Sequence, residues 1–298
     1  MSAKVEALSA EELLKTKKRS QSADVWKRLK RSKTAVLGIV LVAIFLGMAL
    51  FAPVIADYEG QALKINVMER LQGPSADHIF GTDEFGRDIF ARVVYGTRIS
   101  LFVGIISVSI ALSIGGFLGA IAGYYGGKID NVIMRVLDVI LAVPTILLAI
   151  TIVASLGASM INLMIAVGIS NIPGFARIVR ASVLSVKDQE FIEAAKAIGA
   201  KDYIIILKHV LPNSMAPIIV YATLKVATAI MATASLSFIG LGVQPPTPEW
   251  GSMLAGGRQY IRDQMYIVMY PGLAIVLTVL SLNLIGGGLR DALDPKLK

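Results

Sequence analysis

The chain has 298 residues, of which 55% are hydrophobic and only 17% charged, with a mean hydropathy of +0.69. Soluble domains carry roughly 25% charged residues, so this composition, with apolar runs long enough to cross a bilayer, excludes an ordinary soluble globule and points to a polytopic membrane protein. The formal net charge of +8 is unevenly spread between loops, a pattern that belongs to the positive-inside rule rather than to nucleic-acid binding. With no cysteine, and His78 and His209 the only histidines, disulfides, thiolate nucleophiles and histidine-rich metal sites are also excluded.

Residues 1–33 form a basic segment, with KTKKRS (Lys15–Ser20) and KRLKRSK (Lys27–Lys33) on either side of Trp26. Such a flank sets topology from the cytoplasmic side, and its interleaved basic and apolar positions are compatible with a helix lying on the membrane surface. The apolar run that follows is too long for a cleavable signal peptide and lacks a processing site.

Six apolar segments are expected, at about 34–56, 99–124, 132–154, 161–178, 216–240 and 266–286; a spanning helix needs about 20 residues. The fourth is short, contains Pro173-Gly174, and is expected to span with a kink and run into the cytosol through Arg177 and Arg180. The chain then divides into the basic segment 1–33, a transmembrane domain 34–286 with an outer loop 57–98 and a cytoplasmic region 179–213, and a tail 287–298. Lysine and arginine placement puts both termini inside. Gly115-Gly116 and Gly286-Gly287-Gly288 lie in or beside apolar helices, where small residues allow close helix approach.

Few charges fall within the apolar segments, and two of them bear on mechanism. Asp138 follows Arg135 by one turn, a spacing for a local ion pair near the inner face. Lys225 sits about 12 Å along a helix expected to start at Pro217, at 1.5 Å per residue, and either snorkels inward or meets a partner in the bundle. A secondary carrier needs a carboxylate or histidine near mid-membrane for ion coupling, and none is present. Walker-type GxxxxGK[ST], HExxH and GxSxG stretches are also missing. The chain is therefore expected to have no catalytic residue, bound cofactor or metal of its own, and to take its energy from elsewhere.

The lever for that energy is the polar island Gln189–Pro212. Phe191, Ala194/Ala195 and Ile198 recur at three- and four-residue intervals, as on one helix face, and Gly199 can end the helix with positive φ. A second helical pattern covers about Asp202–Val210, with Pro212 as its expected limit. A helix over Gln189–Ala200 is about 16 Å long, a size suited to docking in a groove of a soluble partner.

These residues carry a resemblance. Glu193-Ala194-Ala195, Gly199 and Leu211-Pro212, with KHVLPN at Lys208–Asn213, resemble the cytoplasmic EAA signature of inner-membrane permeases of ATP-binding-cassette importers. GTDEFGRD (Gly81–Asp88), DNVIMRVLDVILAVP (Asp130–Pro144), SFIGLGVQPPTPEWG (Ser237–Gly251) and GGLRDALDPKLK (Gly287–Lys298) are similar to the C-type permease of the dipeptide/oligopeptide/nickel branch; Gly287 departs from the aspartate many relatives carry. The resemblance runs from about Leu29 to Lys298. It implies an all-α polytopic fold of six transmembrane helices, the type I ABC importer permease fold, in the cell membrane. It implies as partners a homologous second permease, two cytoplasmic ATPase subunits that use ATP and Mg, and an extracytoplasmic peptide-binding protein, with membrane lipid around the bundle and no nucleic acid. Glu193–Gly199 would be the coupling helix, Ala194 and Ala195 allowing close approach and Glu193 meeting an N–H or a basic group, with Leu211 and Pro212 completing the signature. Asp83, Arg87 and Asp88 would brace or gate the outer end of the second helix, and the stretches 57–98 and Gln244–Trp250 would face the binding protein. The cargo would be dipeptides or oligopeptides; nickel, metal chelates and glutathione-like solutes are the alternatives, and a scaffold without translocation is a distant one.

Overall fold

The computed structural model describes residues 21–293; the KTKKRS stretch, Lys296 and Lys298 lie outside the described residues. Helix α1 (Gln21–Arg31) leads through Ser32, whose hydroxyl accepts the amide of Ala35, into α2 (Lys33–Ile55). Three further helices follow the loop 56–88: α3 (Ile89–Tyr125), α4 (Gly127–Leu141) and α5 (Thr145–Leu156). After them come α6 (Met160–Leu184), α7 (Glu190–Ala197), α8 (Leu211–Phe238), α9 (Trp250–Gly257) and α10 (Tyr266–Leu293).

Five helical stretches among the described residues are long and apolar enough to cross a membrane: α2, α3, α6, the continuous run Asp202–Phe238, and α10. The segment expected as one span over 132–154 is instead the pair α4 and α5, bent by 82°. The break falls at Ala142–Pro144. Proline disfavours helical backbone in the residue before it, and Pro144 has ψ 131° before α5 starts. Counted as one broken span, the pair brings the total to six.

Other boundaries also move, for local reasons. Asp88 caps α3 by accepting the amide of Ala91 at 2.8 Å, so that helix begins well before residue 99. Pro212 does not end the preceding helix. Residues Ile205–Val210 form a widened π turn, and the Leu211 amide reaches the Ile206 carbonyl. A proline ring collides with the carbonyl four residues back in a regular α-helix; the wider turn before it removes that conflict, and Pro212 sits in the first turn of α8. The helix containing Lys225 thus starts at Asp202, not Pro217. Likewise α10 runs past the three glycines to Leu293.

Helices α3 and α6 form the centre of the bundle. Gly115, Gly119 and Gly123 repeat every four residues along α3 and meet α6 backbone directly. A Cβ on Gly115 would stand 2.5 Å from the Ile172 carbonyl and one on Gly123 2.9 Å from the Arg180 carbonyl, while Gly119 lies against the Ala176 carbonyl. Gly116, on the neighbouring face, has 3.8 Å to its nearest neighbour. Around this seam Val108, Ala111, Val167 and Phe175 fill the core, with Ala229 and Leu236 of α8 closing one side. A second cluster, Phe45, Ile89, Val93, Trp250 and Ile267, joins α2, α3, α9 and α10 near the start of α3.

The ion pair expected between Asp138 and Arg135 is not formed. Asp138 on α4 accepts from Arg177 of α6 at 2.6 Å, because packing of Leu137 onto α6 turns that edge of α4 toward it. Lys225 turns sideways, donating to Asn171 Oδ1 of α6 at 3.3 Å.

Candidate functional site

Two constructions stand out at opposite ends of the bundle. At one end, α6 stops at Leu184 and a short turn delivers α7 across the bundle foot. Gln189 is extended and accepts the amides of Ile192 and Glu193 through its carbonyl, starting the helix. The end is fixed by Gly199, which has φ +76°; there the Ala200 amide reaches back to the Ala195 carbonyl at 3.1 Å and the Gly199 amide to Lys196 at 2.9 Å. Left-handed backbone of this kind is strained for residues with a Cβ, so the glycine read from the sequence as a stop has that geometry.

The two faces of α7 differ. Ile192 and Ala195 are buried, with Val183 and Val186 from the α6 end and Ile205, Val210 and Ile218 from the following helix. Phe191, Glu193, Ala194 and Ile198 are exposed, Ile198 to 84%. Phe191, Ala194 and Ile198 stand at i, i+3 and i+7, which makes one apolar stripe facing away from the chain. Ala195 does not share that face: the sequence pattern grouped it with Ala194, and the fold uses it as core. Leu211 is half-buried against the same cluster and Pro212 is exposed at the start of α8, so both support the base of the foot rather than its tip. The Tyr124 hydroxyl donates to Asp202 at 2.9 Å, and Lys196 lies 5.7 Å from the Tyr124 ring, bracing the foot against the end of α3.

At the other end, Gly81–Asp88 forms a tight knot at the start of α3. Asp83 is its hub. One carboxylate oxygen accepts the amides of Phe85 at 2.9 Å and Arg87 at 3.0 Å, and the other accepts Arg87 Nε at 2.7 Å. Arg92 Nε lies 3.4 Å from that second oxygen, and its Nη1 donates to the carbonyls of Ala62 at 2.8 Å and Pro246 at 3.2 Å. Asp88 caps α3 with one oxygen and meets His78 Nδ1 at 2.9 Å with the other. Asp83, Arg87 and Asp88 are therefore brought together, all of them buried. Removing one member of such a buried pair costs about 3–5 kcal/mol, since its partner's charge is left unpaired.

Arg92 is the member that the sequence reading did not place in this set: it stood in the expected loop 57–98, and only the early start of α3 at Ile89 puts it one turn into that helix. Glu249 was also missed. Its carboxylate caps α9, accepting the amides of Gly251 at 3.0 Å and Ser252 at 2.9 Å, and it receives the Ser100 hydroxyl at 3.3 Å. Burial raises its carboxyl above the ordinary glutamate range, outweighing these donors. Beside it, Trp250 donates its indole N–H to the Val93 carbonyl at 3.1 Å. Between the knot and the Gln244–Glu249 loop lies a cavity of about 170 Å³, lined by Glu84, Arg87, Arg92, Gln244 and Gly256 among others. Burial, aided by the adjacent Asp83, likewise raises the Glu84 carboxyl, against the opposing pull of Arg87 and Arg92.

The side-chain hydrogen bonds of the two constructions close on helix caps, ion pairs and packing contacts within the fold. What they offer is mechanical: a rigid knot at one end of α3, and a docked short helix at the other with an open apolar stripe.

Known proteins resemble this chain in sequence and in overall fold. Residues 115–298 match the family described as binding-protein-dependent transport system inner membrane component, and residues 20–74 the N-terminal TM domain of oligopeptide transport permease C. The chain is 53% identical over 275 residues to the dipeptide transport system permease protein DppC of Alkalihalophilus pseudofirmus, covering 92% of this chain and 90% of that one. It is 47% identical over 293 residues to the glutathione transport system permease protein GsiD of Escherichia coli O6:K15:H31, covering 98% and 96%. In fold it is similar to an inward-facing MetNI methionine ABC transporter structure, with a TM-score of 0.55 and 19% identity over 68% of this chain and 97% of that chain. The chain belongs to the binding-protein-dependent inner-membrane permeases of ABC importers, as a polytopic, non-catalytic translocation subunit related to the dipeptide, oligopeptide and glutathione permeases.

Proposed function

We propose that this subunit imports dipeptides or oligopeptides, and that separate ATPase subunits drive it through α7. The observation that carries the reading is the division of that helix. Ile192 and Ala195 lock it to the bundle, while Phe191, Ala194 and Ile198 form an unpartnered stripe suited to a groove in another protein. A push on α7 passes into α6 and α8, which share its hydrophobic cluster.

In this reading a homologous second permease pairs with the chain, and closure of the ATPase dimer draws the two coupling helices inward, tipping the bundle between inward- and outward-open states as rigid elements. Glu193, exposed beside the stripe, meets an N–H or basic group on the ATPase. Lysine and arginine placement puts α7 and both termini in the cytoplasm. The knot Asp83–Arg87–Asp88 then holds the outer end of α3 rigid beneath a docked binding protein. Dipeptide cargo is favoured by the dipeptide permease relative at 53% identity; the glutathione permeases at 46–47% support a second reading, in which the solute is glutathione or a similar peptide.

The sequence has no cysteine, so a single introduced thiol gives a clean test. Ile198→Cys should cross-link to the ATPase subunit in the assembled transporter. A thiol there that stays freely reactive toward a water-soluble maleimide in the full complex, with no cross-link, would remove α7 from the interface.

A further inference from the structure

Helices α6 and α8 carry a polar pair deep in their apolar stretch. Lys225 Nζ donates to Asn171 Oδ1 at 3.3 Å and stands 5.4 Å from the Tyr221 ring centroid. Asn171 is oriented for this role, because its amide nitrogen donates to the Val167 carbonyl at 2.8 Å and leaves the oxygen to face the lysine. Tyr221 is fixed too: its ring meets Phe175 edge-on at 5.0 Å, and its hydroxyl rests on Gly174, where a Cβ would collide with it. Along α6, Asn171 lies about 18 Å from Ser159 and about 9 Å from Arg177, at 1.5 Å per residue. The lysine reaches across to a neighbouring helix at that depth, not along the helix toward a surface as snorkelling requires.

An ammonium has three donors, and the acceptor found here is one neutral amide. Among the described residues no carboxylate forms an ion pair with Lys225. Its side chain is only partly buried, and a charge at this depth is costly against lipid and belongs on a water-filled or protein-lined face. Among the described residues, the site is thus a partly exposed cation held by one neutral side-chain acceptor.

Building on the peptide-import reading above, we propose that Lys225 is a seat for the carboxylate of the solute in transit, with Asn171 as its positioning residue. Peptides with a free C-terminus carry that group, and a charge-assisted contact to an ammonium holds it across the apolar passage. The contact is a single one on a partly open face, which lets the solute leave again.

The test uses the assembled transporter in proteoliposomes with dialanine as probe. Lys225→Cys should lower ATP-driven uptake by about tenfold or more, the loss expected for one charge-assisted contact, with the ATPase subunits still bound. Aminoethyl methanethiosulfonate, which rebuilds an ammonium on the new sulfur, should restore uptake relative to equally treated wild type. The sulfonatoethyl reagent, which places an anion there, should not, and dialanine should slow both reactions. Undiminished uptake by the variant, equal rescue by both reagents, or a thiol that neither reagent reaches would overturn the proposal. Loss of assembly in both Lys225→Cys and Lys225→Met would overturn it as well, assigning the ammonium to an acid of a partner subunit. Failure of the unaltered complex to take up dialanine would instead strike the peptide-import reading on which this one rests.

Discussion

Arg180 of α6 holds Asp130 of α4 through two parallel hydrogen bonds, Nε to Oδ1 and Nη2 to Oδ2, each 2.5 Å long. With Arg177 and Asp138 further along, it ties the first half of the broken span to the helix that leads into the foot. The two pairs differ in weight. Both side chains of the Arg177–Asp138 pair are exposed, whereas Asp130 is buried. Asp130→Ala should therefore lower stability by about 1.5–3 kcal/mol, the range for hydrogen bonds to charged groups, and Asp138→Ala by less than about 1 kcal/mol. Denaturant unfolding in detergent, with Arg180→Ala completing a double-mutant cycle, checks both figures.

The seam between α3 and α6 depends on the absence of a side chain at Gly119, which faces the Ala176 carbonyl directly. Gly119→Val should push the helices apart and cost about 1–3 kcal/mol or more, as overpacking does. Gly116→Ala, where a Cβ would meet its neighbours only at ordinary van der Waals distance, should be neutral or slightly stabilising, because alanine is the better helix former by about 1 kcal/mol. Thermal unfolding of the two variants side by side measures the contrast.

Glu249 gives a pH dependence with a defined sign. Burial raises its carboxyl in the folded protein, so the folded state binds the proton more tightly than the unfolded one. The stability this contributes is fully present below the ordinary glutamate value of about 4.3 and is lost as pH rises through the raised value. Glu249→Gln should flatten that slope: relative to the variant, wild type should lose stability over the interval in which pH rises from about 4.3 through the raised value. Unfolding midpoints of both proteins across this interval are the measurement.

Neighbouring alanines on α7 should behave oppositely. Ala195 is buried beneath the helix and Ala194 exposed beside the stripe. Ala195→Trp should disrupt the foot and lower thermal stability, since a large ring has no room in that cluster. Ala194→Trp should leave the isolated subunit as stable as wild type but separate ATP hydrolysis from transport in the complex. The ratio of solute moved to ATP hydrolysed, alongside the melting temperature, distinguishes the two effects.

Much of this architecture was legible from residues alone, and the failures have local causes. The Lys33–Ile55 helix agreed closely with its hydropathy, because its apolar run carries no charge after Lys33 and starts directly behind the Ser32 cap. Gly199 was readable as a stop because left-handed backbone restricts residue choice so strongly. Hydropathy missed the first ten residues of α3 because Arg92 and Arg98 lie there, and the acid that matches Arg92 comes from the loop knot at Asp83. Arg135 was chosen for Asp138 by helical spacing; the true partner, Arg177, is distant in sequence and is brought near only by packing of α4 on α6. Pro212 read as a limit because a widened turn upstream leaves no mark in composition. The split between Ala194 and Ala195 was invisible for another reason: both fit a helical period, and only the cluster beneath α7 decides which one faces inward.

The most direct trial of the whole account is solute accumulation in sealed proteoliposomes containing the two permeases and the binding protein, with and without the ATPase subunits. The account predicts ATP-dependent accumulation only when those subunits are present, and its loss when Ala194→Trp blocks the stripe on α7. Accumulation driven by this chain without any nucleotide-binding partner would contradict it.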